Sequence, residues 1–266
     1  MRSHSNLIEQ HSLLIFLALT PLISLAMPLF LPLPAAVIPL LMVFVPAFLA
    51  ITLAALSGGR KEVGELWRRL FRRRIGFRWY ATAVLLALGL RLSMSVLALL
   101  LGWIPAIQIN AWSLPEFVLI GTFIVIGAVS EELGWRGYVL PKLLPYRSGL
   151  FSALVTGVLW GAIHLGLTLP GQMNAGTHWL PTIVYISALS VILTWFFIQT
   201  RGSLVVPILF HAGQSIFVFL NGAISPDQQL VLLAAAAAVV ALVLVLLFWV
   251  KLQHGSIRGP AVLDAG

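Results

Sequence analysis

The chain has 266 residues, of which 60% are hydrophobic and only 9% are charged, and its mean hydropathy is +1.03. A soluble domain needs more polar surface than this, so the composition excludes the soluble classes and predicts a multi-pass membrane protein. Basic loops at a membrane surface explain the net charge of +8 better than nucleic acid, which we do not expect as a partner. Because cysteine is absent, disulfides, thiolate metal sites and a cysteine nucleophile are excluded.

Hydropathy predicts an all-α bundle of about eight transmembrane helices. The predicted spans are 12–32, 35–57, 79–103, 116–140, 149–168, 179–199, 203–220 and 229–250. We divide the chain into residues 1–115 with the first three spans, a core at 116–220, and residues 221–266 with the last span and a tail.

The basic residues predict the orientation of the bundle. All but two of the 16 lie before the first span, after the last one, or in every second loop, and the alternate loops contain none. By the positive-inside rule, both termini and the long basic loop at 58–78 face the cytoplasm, in the plasma membrane. Leu66, Leu70 and Phe71 lie among the charges of this loop, which predicts an amphipathic helix on the inner leaflet, in contact with anionic lipid headgroups.

The fourth span contains three ionisable residues within its apolar sequence, namely Glu131, Glu132 and Arg136. Each such group near the middle of a membrane helix costs about 2.5–3.5 kcal/mol if it is left unpaired. Glu132 and Arg136, four residues apart, are compatible with a purely structural ion pair. The default interpretation of such a group is nevertheless a functional site inside the membrane.

Two later spans add polar groups at helical spacing. Trp160 and His164 share one face of the fifth span, and His211 and Ser215 share one face of the seventh, with Gln214 beside them. Each residue alone could be a hydrogen-bond partner between helices. Together the carboxylates, the arginine and the histidines must turn inward, which predicts a polar cavity inside the membrane. Arg91, in the third span, receives no role at this stage.

Four motifs follow one another in this part of the chain. They are EExxxR at Glu131, Glu132 and Arg136, an aromatic-xxx-His from Trp160 to His164, TxxSL at Thr200, Ser203 and Leu204, and His-xxx-polar from His211 to Ser215. In this order they resemble the CPBP family, the CAAX prenyl protease 2-like group of intramembrane proteases that is also called Abi.

The resemblance implies an intramembrane endopeptidase acting on a peptide or protein in or at the membrane. Glu131 would activate water, His164 would share that water, and His211 would help to stabilise the oxyanion. Glu132 and Arg136 would support the first glutamate.

Two positions depart from the family's pattern. Trp160 stands where the family usually has Phe, and Ser215 where it typically has Asn or Asp. A missing oxyanion donor typically costs about 2.7–4 kcal/mol, although a serine hydroxyl can also donate. The alternative function is therefore a catalytically weakened membrane scaffold, or a bacteriocin-immunity-type protein of the same fold.

Other protease mechanisms require residues or motifs that can be looked for in the sequence. The chain has no HExxH and no GxSxG motif, and both aspartates, Asp227 and Asp264, lie outside the predicted spans, which excludes an aspartyl intramembrane protease. A transporter is disfavoured because no inverted repeat is visible. Zinc held by Glu131, His164 and His211 is possible, but we favour a metal-free mechanism with no cofactor.

Overall fold

The computed structural model describes residues 7–109, 112–221 and 224–253. Helices are the regular secondary structure of the described residues, which contain no strand, and this confirms the all-α fold class. The α-helices are α1 (Leu7–Phe30), α2 (Val37–Met42), α3 (Val45–Leu70), α4 (Phe77–Leu100), α5 (Leu114–Glu132), α6 (Leu140–Leu143), α7 (Gly149–His164), α8 (Trp179–Gln199), α9 (Val205–Ile216) and α10 (Pro226–Gln253). A π-helix covers Leu133–Val139, and 3₁₀ turns cover Leu165–Thr168 and Phe217–Asn221. The predicted tail after residue 253 lies outside the described residues.

In the described part of the chain, seven helices are long and apolar enough to cross a membrane. They are Gln10–Phe30, Val37–Leu70, Phe77–Leu100, Leu114–Leu143, Gly149–Thr168, Trp179–Gln199 and Pro226–Trp249. The span predicted at 203–220 is the shorter helical segment Val205–Leu220. Its regular part, α9, has 12 residues and is therefore about 18 Å long, less than the hydrocarbon thickness of about 30 Å.

The span that contains the EExxxR motif begins at a strong helix signal. Ser113 and Glu116 form a capping box, in which the Ser113 hydroxyl accepts from the Glu116 N–H and the Glu116 carboxylate accepts from the Ser113 N–H. The helix then continues to Leu143, but directly after Glu132 it widens into the π-helix. Such wide turns often occur at functional sites.

The basic segment at 58–78 begins inside α3 and continues past its end. Helix α3 bends sharply at Gly59, where φ is 60° and ψ is −148°, a conformation that favours glycine. The helix continues only to Leu70, and Leu66 is 1% exposed because it packs against the bundle. Phe71, by contrast, is exposed. Of the apolar residues on which the predicted amphipathic helix rests, Leu66 is therefore packed inside the bundle and Phe71 is on the surface.

Hydrogen bonds attach the same segment to the π-helix and to the TxxSL motif. Arg69 donates from Nη1 to the Gly137 carbonyl at 2.9 Å, and its own carbonyl accepts from the Leu204 N–H at 3.1 Å. The Ser203 hydroxyl donates to the Arg72 carbonyl at 2.7 Å. The TxxSL motif thus holds the basic segment on the end of the bundle and does not line the cavity described below.

Helices α7 and α8 pack closely at the centre of the bundle. Ser190 donates to the Ala153 carbonyl at 2.7 Å, and its Oγ is 3.0 Å from the Thr156 Oγ1. Helix α10 packs against α8, and α9 packs against α4 and α5. The site is built where α5, α7 and α9 approach one another.

Candidate active site

The two glutamates of span four are fully enclosed at the end of α5. Glu131 is 5% exposed and Glu132 is 0% exposed, so neither carboxylate faces lipid or bulk solvent. Arg136, on the first turn of the π-helix, is 1% exposed and donates from Nη1 to the Glu132 Oε1 at 3.1 Å. The predicted ion pair is therefore present, and it places one cation beside two buried acids.

Helix α9 inserts His211 between the two carboxylates. Its Nδ1 is 2.9 Å from the Glu132 Oε1, and its Nε2 is 3.5 Å from the Glu131 Oε2. Carboxylate oxygens can only accept, so both ring nitrogens are placed to donate: Nδ1 at hydrogen-bond distance and Nε2 at a longer contact.

Trp160 is a direct partner of the predicted catalytic glutamate. Its indole N–H donates to the Glu131 Oε1 at 3.2 Å. Its ring also lies 4.8 Å from the Arg136 Cζ and packs edge-on against the His211 ring, with 5.2 Å between the centroids. Phenylalanine at this position could make the ring contacts but not the hydrogen bond, so this departure from the family's pattern changes the polar contacts of Glu131.

His164 is oriented from its own helix. Its Nδ1 lies 2.8 Å from the Trp160 carbonyl, which can only accept, so Nδ1 carries the proton. In the neutral ring, Nε2 is then a hydrogen-bond acceptor. The His164 and Trp160 ring centroids are 6.1 Å apart, which connects His164 to Glu131 through the tryptophan.

A cavity of about 290 Å³ opens beside these residues. Its wall contains His164, His211, Trp160 and Ser215 from the predicted motifs. The other lining residues are Arg91, Thr168, Asn174, Thr177, Thr182, Tyr185, Ile186, Leu189, Gln214, Pro226, Gln229, Leu230 and Leu233. The structure thus brings the predicted site residues of three spans together, with the two glutamates behind the His211 and Trp160 rings. Their catalytic roles stay predictions.

Gln214 is not available as the oxyanion donor in place of Ser215. It is 2% exposed, its Nε2 donates to the Ala87 carbonyl at 2.8 Å, and its Oε1 accepts from the Tyr185 hydroxyl at 3.2 Å. Both ends of the amide are therefore engaged with neighbouring helices. Ser215, one turn after His211 and on the cavity wall, is the polar side chain at the family's Asn or Asp position.

Sequence reasoning gave no role to Arg91 and did not consider Tyr185, and both line the cavity. Arg91 is 8% exposed and donates from Nε to the Gln214 carbonyl at 2.6 Å. An arginine inside an apolar span was a usable signal, since such residues face the interior of a bundle. Tyr185 has no comparable signal, because an aromatic residue within an apolar helix is ordinary.

The placement of these side chains does not fit a three-ligand zinc site. Among the described residues, no group of three His, Cys, Asp or Glu side chains is positioned to hold a metal ion. Both ring nitrogens of His211 face carboxylate oxygens, and the Glu131 Oε1 accepts from Trp160. The chemistry below is therefore derived from the side chains of this chain alone.

Comparison with known proteins agrees with the motifs. Residues 110–217 match the family model of the type II CAAX prenyl endopeptidase, Rce1-like. A stretch of 103 residues is 27% identical to CAAX prenyl protease 2 of Methanococcus maripaludis, which is 36% of this chain and 38% of that protein. The match thus spans well under half of the relative's length. All the predicted site residues lie inside the matched segment, and both matches support the CPBP family that the motifs predicted.

Proposed function

We propose that this protein is an intramembrane endopeptidase of the CAAX prenyl protease 2-like type, which hydrolyses a peptide bond with water activated by Glu131 and without a metal ion. The family is a protease family, which supports a peptidase. One observation carries the proposal. His211 lies between two buried carboxylates while Trp160 holds the first of them, and the rings of both border a polar cavity inside an apolar bundle.

The proposed reaction begins with a water molecule between Glu131 and His164. The Glu131 carboxylate takes one proton from this water, and the His164 Nε2 accepts a hydrogen bond from it. The resulting hydroxide attacks the carbonyl carbon of the scissile bond and forms a tetrahedral oxyanion. The His211 Nε2–H and the Ser215 hydroxyl donate hydrogen bonds to that oxygen.

Collapse of this intermediate breaks the C–N bond. Glu131 returns its proton to the leaving nitrogen, so the products are an amine and a new carboxylic acid, which then passes its proton to the amine or to water, and the enzyme regains its starting state. Glu132 and Arg136 act on the position of His211 and do not touch the substrate. The relatively long contact of 3.5 Å between the His211 Nε2 and Glu131 suits a nitrogen that must turn toward a substrate oxygen.

We propose two partners for this protein, a peptide substrate and anionic lipid. The substrate is a peptide or protein in or at the membrane. Anionic lipid headgroups bind the basic segment at 58–78, where Arg68 is exposed and Trp67 and Phe71 stack at the surface with 6.1 Å between ring centroids. Exposed basic and aromatic side chains together are typical of a membrane interface. By the positive-inside rule, we propose that both termini and this segment face the cytoplasm, in the plasma membrane.

Hydrolysis of an internally quenched fluorogenic peptide by the detergent-purified protein tests the function. We expect turnover by the parent and a loss of at least about 100-fold in Glu131→Gln, in line with the usual contribution of a general base. Glu116→Gln is the matched control, because Glu116 is exposed at the start of the same helix and a glutamine preserves its capping contact. Equal activity of parent and Glu131→Gln would refute the mechanism. A folded protein without hydrolysis would indicate a scaffold instead.

A further inference from the structure

The cavity wall contains a cation that the proposed reaction does not use. Arg91 lies on α4, is 8% exposed, and lines the same cavity as His164 and His211. No aspartate or glutamate is found among the described residues that line this cavity. Its polar lining is therefore made of one permanent cation, two imidazoles, hydroxyls and amides. Such a wall favours an anionic group over a neutral or cationic one.

The position of Arg91 relative to His211 is rigid. Its Nε donates to the Gln214 carbonyl at 2.6 Å, and the Gln214 side chain in turn donates to the Ala87 carbonyl, one turn earlier on α4. Helices α4 and α9 nearly touch here, because a Cβ added at Gly213 would lie 2.9 Å from the Ala87 Cβ. The two helices cannot slide apart without breaking these contacts, so Arg91 is held at a defined distance from the reacting centre.

The spacing along α9 between His211 and Gln214, the residue that Arg91 contacts, gives a scale for this separation in residues of substrate. Gln214 follows His211 by three residues, which is about 4.5 Å along the helix axis. An extended peptide advances about 3.3–3.6 Å per residue. A peptide whose scissile carbonyl lies at His211 would therefore present its next one or two residues to Arg91.

We propose that Arg91 is a specificity-determining residue that binds a carboxylate of the substrate within about two residues of the scissile bond. The inference rests on the proposed peptidase function and assigns its substrates an acidic group at that position. A guanidinium is suited to this because it binds a carboxylate through paired N–H donors. The carboxylate can be the C-terminus of the peptide or the side chain of Asp or Glu, and the two sources are separated experimentally.

A structural role would give a different result. Arg91 contacts the C-terminal turn of α9, where a cation also stabilises the helix. Loss of that contact would lower the activity toward every peptide by a similar factor. Loss of a substrate contact would affect only peptides that carry the carboxylate.

The kinetic test compares quenched peptides of one sequence in three forms: with a free C-terminal carboxylate two residues after the cleaved bond, with the same terminus amidated, and amidated with Glu as the last residue. We expect kcat/KM of the parent to be at least about tenfold higher for one of the acidic forms than for the neutral amide, which equals about 1.4 kcal/mol. In Arg91→Gln this ratio should fall to about one. Arg91→Lys should keep part of the preference.

The control is Arg69→Gln, which removes a partly buried arginine at the basic end of the bundle, outside the cavity. It should leave the acid-to-amide ratio unchanged. A parent ratio near one for both acidic forms, or an equal loss toward all three peptides in Arg91→Gln, would overturn the proposal.

Binding separates this inference from the proposed function. Fluorescence titration of the Glu131→Gln protein with the same peptides needs no turnover. We expect it to bind an acidic form at least about tenfold more tightly than the neutral amide. The double variant Arg91→Gln, Glu131→Gln should lose this preference. Equal affinity for acidic and neutral forms, or no binding of the acidic forms, would refute the role of Arg91 even if hydrolysis is found. Selective binding of the acidic forms, together with no hydrolysis by the parent protein, would support the role of Arg91 and refute the proposed peptidase function.

Discussion

Replacing Trp160 by phenylalanine isolates one hydrogen bond of the site. The substitution removes the indole N–H that donates to the Glu131 Oε1 at 3.2 Å, but it keeps an aromatic ring against His211 and Arg136. Of the Glu131 contacts described above, the longer one of 3.5 Å with the His211 Nε2 would then remain. We expect the carboxylate to be held less firmly in the orientation that receives a proton from water, and kcat to fall.

The magnitude follows from the geometry of this bond. A hydrogen bond to a charged group contributes about 1.5–3 kcal/mol, and an N–H to O distance of 3.2 Å is at the long end of the usual range. We therefore take the lower figure, about 1.5 kcal/mol. Since about 1.36 kcal/mol corresponds to a factor of ten in rate, kcat should fall by roughly tenfold.

The assay is steady-state hydrolysis of a quenched peptide, with thermal unfolding in the same detergent as a check on folding. Trp195→Phe is the matched control. Trp195 is also buried, but its indole nitrogen has no hydrogen-bond partner among the described residues, so this variant loses ring volume without losing a hydrogen bond seen there. If Trp160→Phe keeps the parent kcat, or if Trp195→Phe loses as much, the bond from Trp160 to Glu131 has no part in catalysis.

Three further predictions concern the rest of the site. Ser215→Asn should raise kcat by about tenfold in the peptide assay, since an amide reaches further into the cavity than a hydroxyl, and a fall would show that the serine is the better donor here. Dialysis against a chelator should leave kcat within about twofold, with metal content measured in parallel; inactivation that zinc reverses would contradict the metal-free mechanism. Arg136→Met should destabilise the protein by about 3–5 kcal/mol, because it strands the fully buried Glu132, and the added change Glu132→Gln should recover part of this. Thermal unfolding of both variants checks it, and equal loss in the double variant would argue against an unpaired charge as the cause.

The spans were readable from the sequence because their physical basis is local. A run of about 20 apolar residues must form a helix in lipid, where every backbone N–H needs a partner within the segment. This holds from Gln10–Phe30 to Pro226–Trp249. The shortness of α9 was not readable, because the apolar sequence continues through the 3₁₀ turn that ends it.

The convergence of the acids and imidazoles was also predictable, since lipid accepts none of them. Their pairing was not. Glu131 and Glu132 are neighbours in sequence, yet the sequence does not tell which one receives the Trp160 N–H and which one the closer contact of 2.9 Å with His211. That depends on the side-chain directions at the junction between α5 and the π-helix.

The long-range contacts of the basic segment at 58–78 could not be predicted from its sequence either. Its charges predicted a membrane surface, and the sequence does not reveal that Ser203 and Leu204 bind its backbone and that Leu66 enters the bundle. Contacts between residues more than 130 positions apart leave no periodic pattern in a sequence.

The sequence by itself determined that this chain is a helical membrane protein with its ionisable groups turned inward, because the cost of exposing charge to hydrocarbon leaves few alternatives. The tertiary structure decided which groups meet: His211 between two carboxylates, Trp160 on Glu131, and Arg91 on the wall of the same cavity. The reason is that burial depends on composition along one helix, whereas a hydrogen bond depends on the relative rotation and depth of two helices, which only their packing defines.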